Sequence, residues 1–144
     1  MLPLSWSFRD WGRACLVFST GLILGMAIWW TSPMLTGHVE PWDVPGKFYI
    51  GMLFAAGFVA AAFLPKAFWV APVGVYIGQL LYVVYLYEPH GAVFWPLGMI
   101  VAAFYCAAAL AGATASAIFL AVIGGLVGVL RFLRGWRKPT ENAG

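Results

Sequence analysis

"VFWPLGMIVAAFYCAAALAGATASAIFLAVIGGLVGVL", Val93 to Leu130, contains no charged residue in 38 positions. As one α-helix rising about 1.5 Å per residue it would reach roughly 57 Å, about twice a bilayer core of roughly 30 Å. Two arrangements can hold such a run. In one, a long last helix crosses once and its C-terminal part leaves the core or bends along the interface. In the other, the run crosses twice and turns tightly in "GATAS", Gly112 to Ser116.

The rest of the chain agrees with a membrane setting. Of 144 residues, 63% are hydrophobic and 9% charged. A soluble domain carries about 25% charged residues, so this chain cannot cover itself with a hydrated surface. The expected fold class is an all-α integral membrane protein of one domain, covering residues 1–144. The net charge of +3 gives no sign of nucleic-acid binding.

Working outward from the long run, three further apolar segments precede it. Residues 14–30, after Arg9 and Arg13, resemble a signal sequence. The run is longer than usual, and Thr31, Ser32 and Pro33 follow in place of a small-residue cleavage site. It reads as a retained first crossing. A turn-rich loop, Thr31 to Lys47, leads to a second run at 48–64, which Pro65 and Lys66 close. A third run, 67–87, ends at "EPHG". The short connection predicts that the second and third runs form an antiparallel hairpin. The fourth crossing is expected over 93–113, with an apolar extension, 117–134, that is either interfacial or a fifth crossing.

Charge asymmetry separates four crossings from five. With four crossings and a cytoplasmic N-terminus, Arg9, Arg13, Lys66, Arg131, Arg134, Arg137 and Lys138 lie inside and Lys47 outside, a split of 7 to 1. With five crossings the best split is 5 to 3. The positive-inside rule therefore favours four helices, a long or broken last one, and both termini in the cytoplasm. Arg131, Arg134, Arg137 and Lys138 are expected to meet lipid headgroups. Generically, the chain resembles small bacterial integral membrane proteins, which implies a bacterial inner membrane.

That topology gathers His38, Glu40, Asp43, Glu88 and His90 outside. Imidazole and carboxylate together suit divalent metals, so His38, Glu40, Glu88 and His90 form a candidate metal or proton site. Their spacing is not helical, and the site requires the two loops to meet. The blander expectation is a solvated rim, with Asp43 capping the second helix. No other cofactor is implied.

Within the spans, Gln79 is the polar residue that needs a partner, with Tyr76, Tyr82 and Tyr105 as candidate neighbours. Gly21 and Gly25, Gly74 and Gly78, and Gly124 and Gly128 form GxxxG pairs that suit close helix packing, and Gly57 with Ala61 continues the pattern. Trp29, Trp30, Trp42 and Trp95 are expected as an outer aromatic belt, with Trp11, Trp69 and Trp136 inside. Cys15 and Cys106 read as small buried hydrophobes.

With no nucleotide loop and no nucleophile beside a base, the leading expectation is non-enzymatic. The chain reads as a compact accessory or assembly subunit, packing in the bilayer against itself or a larger membrane partner. The alternative is a small carrier or channel that captures its solute at the outer cluster and passes it along Gln79. A metal-dependent membrane enzyme comes third.

Overall fold

The computed structural model describes residues 7–44, 47–86 and 95–136, and among them every regular element is helical. The helices are α1 (Phe8–Thr36), α2 (Phe48–Ala61), α3 (Val70–Leu81) and α4 (Trp95–Trp136). A π-helical turn, Tyr82–Leu86, prolongs α3. Two helices are long and apolar enough to cross a membrane, α1 and the Leu97–Arg134 stretch of α4, whereas α2 and α3 are shorter.

The start of α1 is set by a capping box. The Ser7 hydroxyl accepts from the Asp10 N–H, and Asp10 Oδ2 accepts from the Ser7 N–H at 3.1 Å. Orphan donors of the first turn are thereby satisfied at both residues. The expected first crossing stops at Trp30, but α1 continues to Thr36, through Pro33. A proline inside a helix removes one backbone bond. Here hydroxyls take up nearby carbonyls, Thr31 donating to Ala27 O at 2.7 Å and Thr36 to Ser32 O at 2.7 Å. Gly37 then closes the helix at φ 76°, a left-handed conformation open to glycine, with its N–H on Pro33 O.

Reciprocal glycine contacts decide which helices touch. A methyl on Gly21 would stand 2.7 Å from the Ala71 carbonyl, and one on Gly25 closer still to that of Val75. In return, Gly74 faces the Phe18 carbonyl and Gly78 that of Leu22. Each glycine thus meets the carbonyl three residues before its counterpart, as in a parallel GxxxG crossing. The same exchange joins α2 to α4: Gly57 faces Ala109 O and Gly112 faces Phe54 O. Tyr49 with Tyr105 and Phe58 with Phe119 show that this pair is also parallel.

The bundle is therefore two parallel helix pairs, α1 with α3 and α2 with α4, packed antiparallel. The second and third helices do follow one another through the 3-10 turn Pro65–Ala67. They run antiparallel, as the hairpin expectation had it, while the closest backbone contacts lie elsewhere, where glycines join α1 to α3 and α2 to α4. At one end Ala14, Val17, Ala60, Leu64 and Ala71 fill the core; in the middle Ile28, Leu53, Val75 and Ala109 do so.

Of the two arrangements open to the long apolar run, the structure has the single long helix. The turn at Gly112–Ser116 does not form, since α4 runs continuously through it for 42 residues. Gly112 and Ala113 are buried against the bundle, so breaking the helix there would expose packed backbone. From Ala121 to Arg134, by contrast, every residue is exposed. The outside of the bundle is apolar as well: Ile23, Trp30 and Phe104 are 63%, 67% and 77% exposed.

Candidate functional site

All four helices meet at Gln79, whose side chain is fully buried in α3. Its Oε1 accepts from the indole N–H of Trp29 on α1 at 3.4 Å and from the hydroxyl of Tyr49 on α2. Its Nε2 donates to Val75 O at 3.4 Å and to Cys106 Sγ on α4 at 3.5 Å. An indole N–H can only donate, which fixes Oε1 on the Trp29 side. A primary amide has two donors and an oxygen with two lone pairs, so its hydrogen-bonding capacity is used in full. Each such bond within a membrane protein contributes about 0.6–2 kcal/mol.

An aromatic cluster encloses this amide. Trp42 stands edge-on to Trp29 at 4.8 Å and to Tyr49 at 6.3 Å, and Tyr105 packs against Tyr49 at 5.1 Å. Tyr82 lies 6.0 Å from Trp29. Edge-on rings of this kind add about 0.5–1.5 kcal/mol per pair beyond area burial. Trp42 Nε1 donates to Glu40 Oε2 at 2.7 Å, so a carboxylate of the α1–α2 loop holds the edge of the cluster in place.

The tyrosine that bonds Gln79 is Tyr49 and not one of those expected; Tyr76 donates to Met99 O, while Tyr82 and Tyr105 serve as packing rings. Trp29 is not a belt residue, being 1% exposed and bonded to the amide. Cys15 is exposed, contrary to expectation, and Cys106 is buried as expected. The missing partners were traceable. Setting Gly21 and Gly25 in parallel register with Gly74 and Gly78 puts Trp29 within one turn of Gln79.

Gly112 also escaped the sequence reading, although Ala108, Gly112 and Ser116 repeat small residues at four-residue spacing. Gly124 and Gly128 have the same spacing but stand in open space, with nothing within 4 Å of an added methyl.

In the α1–α2 loop, His38 is exposed and Ser32 Oγ donates to its carbonyl at 2.8 Å. Glu88 and His90 lie outside the described residues. Among the described residues no three His, Cys, Asp or Glu side chains gather to hold a metal. Asp43 does not cap α2: it ends the 3-10 turn Pro41–Asp43, and Lys47 stands at the N-cap without a side-chain bond. Asp43 stands four positions ahead of the Lys47 N-cap, too far along the chain to be the cap residue of α2. Of the basic C-terminal residues, Arg131 and Arg134 are exposed at the end of α4, and Arg137 and Lys138 lie outside the described residues.

Comparison of the chain with protein-family models, with curated proteins and with solved structures finds no match.

Proposed function

We propose that this chain is a four-crossing integral membrane protein with both termini cytoplasmic, and that it serves as a non-enzymatic assembly subunit. Its docking element is the C-terminal part of α4, which seats on a second membrane polypeptide, either another copy or a larger partner. The observation that carries the reading is the exposure of every residue from Ala121 to Arg134 in a helix that is apolar on all sides up to Leu130. Arg13, Lys66 and Ala121 line one cleft, which marks the charged boundary of the bundle. From Leu97 to Leu120, 24 residues, α4 rises about 36 Å and matches a tilted crossing. Beyond it, Ala121–Leu130 continues for about 15 Å. A helix hydrophobic all round is buried in a protein core or in lipid, and because these ten residues continue past the charged boundary of the bundle the cover proposed here is a neighbouring polypeptide.

The bundle interior supports a structural role. With its four bonds made inside the protein, Gln79 has no donor or acceptor left for a passing solute, which counts against the carrier alternative. The test is native mass spectrometry after extraction in mild detergent. Full-length protein should leave the membrane with a second polypeptide, and a chain ending at Leu120 should leave as a single copy. Single copies in both cases would overturn the proposal.

A further inference from the structure

At the end of the bundle opposite the aromatic cluster, an open cleft of about 300 Å³ lies between α1, the α2–α3 turn and α4. Its polar rim is Asp10 and Arg13, one helical turn apart on α1, together with Lys66 from the turn. Its apolar wall is Ala117, Leu120 and Ala121, one face of α4. The volume stands at the lower end of the roughly 300–1,000 Å³ typical of ligand sites. It suits a headgroup and not a whole lipid.

We propose that this cleft binds the phosphodiester of an anionic phospholipid from the cytoplasmic leaflet, with Arg13 and Lys66 holding the phosphate and the α4 wall receiving the start of an acyl chain. The inference rests on the four-crossing topology, which puts both cations at the cytoplasmic boundary, where anionic lipid is found. A guanidinium grips two phosphate oxygens at once, and an ammonium adds a mobile point charge. Asp10 offsets only one of them. Its Oδ2 is held by the Ser7 N–H and hydroxyl, at 3.1 and 2.8 Å, and turned onto the helix start. Two cations against one carboxylate leave the rim at +1, the complement of one phosphodiester. A zwitterionic headgroup would leave that charge unmatched.

Arg131 and Arg134 are a separate matter. Arg131 follows Ala121 by ten residues, about 15 Å further along the helix axis, and cannot serve the same phosphate.

The experiment is native mass spectrometry of the full chain released from bilayers of equal phosphatidylglycerol and phosphatidylcholine. One phosphatidylglycerol should stay bound, with phosphatidylcholine excluded. Retention should fall roughly fivefold for Arg13→Ala or Lys66→Ala, the effect of one basic residue at an anionic surface. Ala117→Phe, which fills the cleft and keeps both cations, should also lose the lipid, whereas Arg134→Ala should keep it. Excess inorganic phosphate should not displace it. Equal retention of the two lipids, an unchanged Arg13→Ala and Lys66→Ala, or full displacement by inorganic phosphate would each overturn the lipid site alone. Failure of the chain to enter bilayers would overturn the topology and the site together.

Discussion

The indole N–H of Trp29 donates to the Gln79 side-chain oxygen at 3.4 Å, joining α1 to α3 across fifty positions of sequence. Tyr49 and Cys106 bring α2 and α4 to the same amide. One side chain therefore reports on the assembly of the whole bundle.

Replacing Gln79 with leucine keeps a similar volume and removes the amide. The Trp29 and Tyr49 donors then lose the amide that accepts from them, and a buried donor left unsatisfied costs about 1–3 kcal/mol. Thermal unfolding in detergent should show Gln79→Leu as clearly destabilised. Tyr49→Phe removes one donor and leaves Oε1 bonded to Trp29, so it should cost less, about 0.6–2 kcal/mol. A Gln79→Leu protein as stable as wild type would show that the amide does not hold the helices together.

The glycines sort by position and not by motif. Gly25→Ala, Gly78→Ala and Gly112→Ala each drive a methyl into a backbone carbonyl of a neighbouring helix. Overpacking of this kind costs about 1–3 kcal/mol, and backbone cannot swing aside as a side chain does. Gly124→Ala meets nothing within 4 Å and should leave the unfolding temperature of the isolated chain unchanged or slightly raised. Equal loss at Gly78 and Gly124 would contradict the helix pairing.

Much of this was legible in the sequence, and the failures have physical causes. The run Val93–Leu130 and the low charge imply membrane-length helices, and two helices of that kind are present. Gly21, Gly25, Gly74 and Gly78 do face one another, because small residues at four-residue spacing leave a groove that another backbone can enter. Spacing within one helix carries no information about the partner, so the pairing of α1 with α3 and of α2 with α4 was not legible. Thr31–Pro33 reads as a loop until the Thr31 hydroxyl is seen on a helix carbonyl. Trp29 and Trp30 are adjacent and alike in sequence, yet one step of about 100° around α1 puts the first in the core and leaves the second exposed.

Topology follows from surface labelling in whole cells. In a background with Cys15→Ala and Cys106→Ala, Val39→Cys in the exposed α1–α2 loop should react with an impermeant thiol reagent. Lys66→Cys, exposed at the α2–α3 turn, should react only after the cells are opened. Outside labelling at residue 66 with none at residue 39 would invert the orientation. Labelling at both from outside would rule out an α2 that crosses the membrane.

The claim that α4 docks on a second polypeptide is tested most directly by photo-crosslinking in the native membrane. A photoreactive side chain at Leu126, 60% exposed in the C-terminal part of α4, should yield a crosslinked protein band. The same group at Phe104, 77% exposed on the bundle's flank, should yield lipid adducts alone. Lipid adducts alone at both positions would contradict the account.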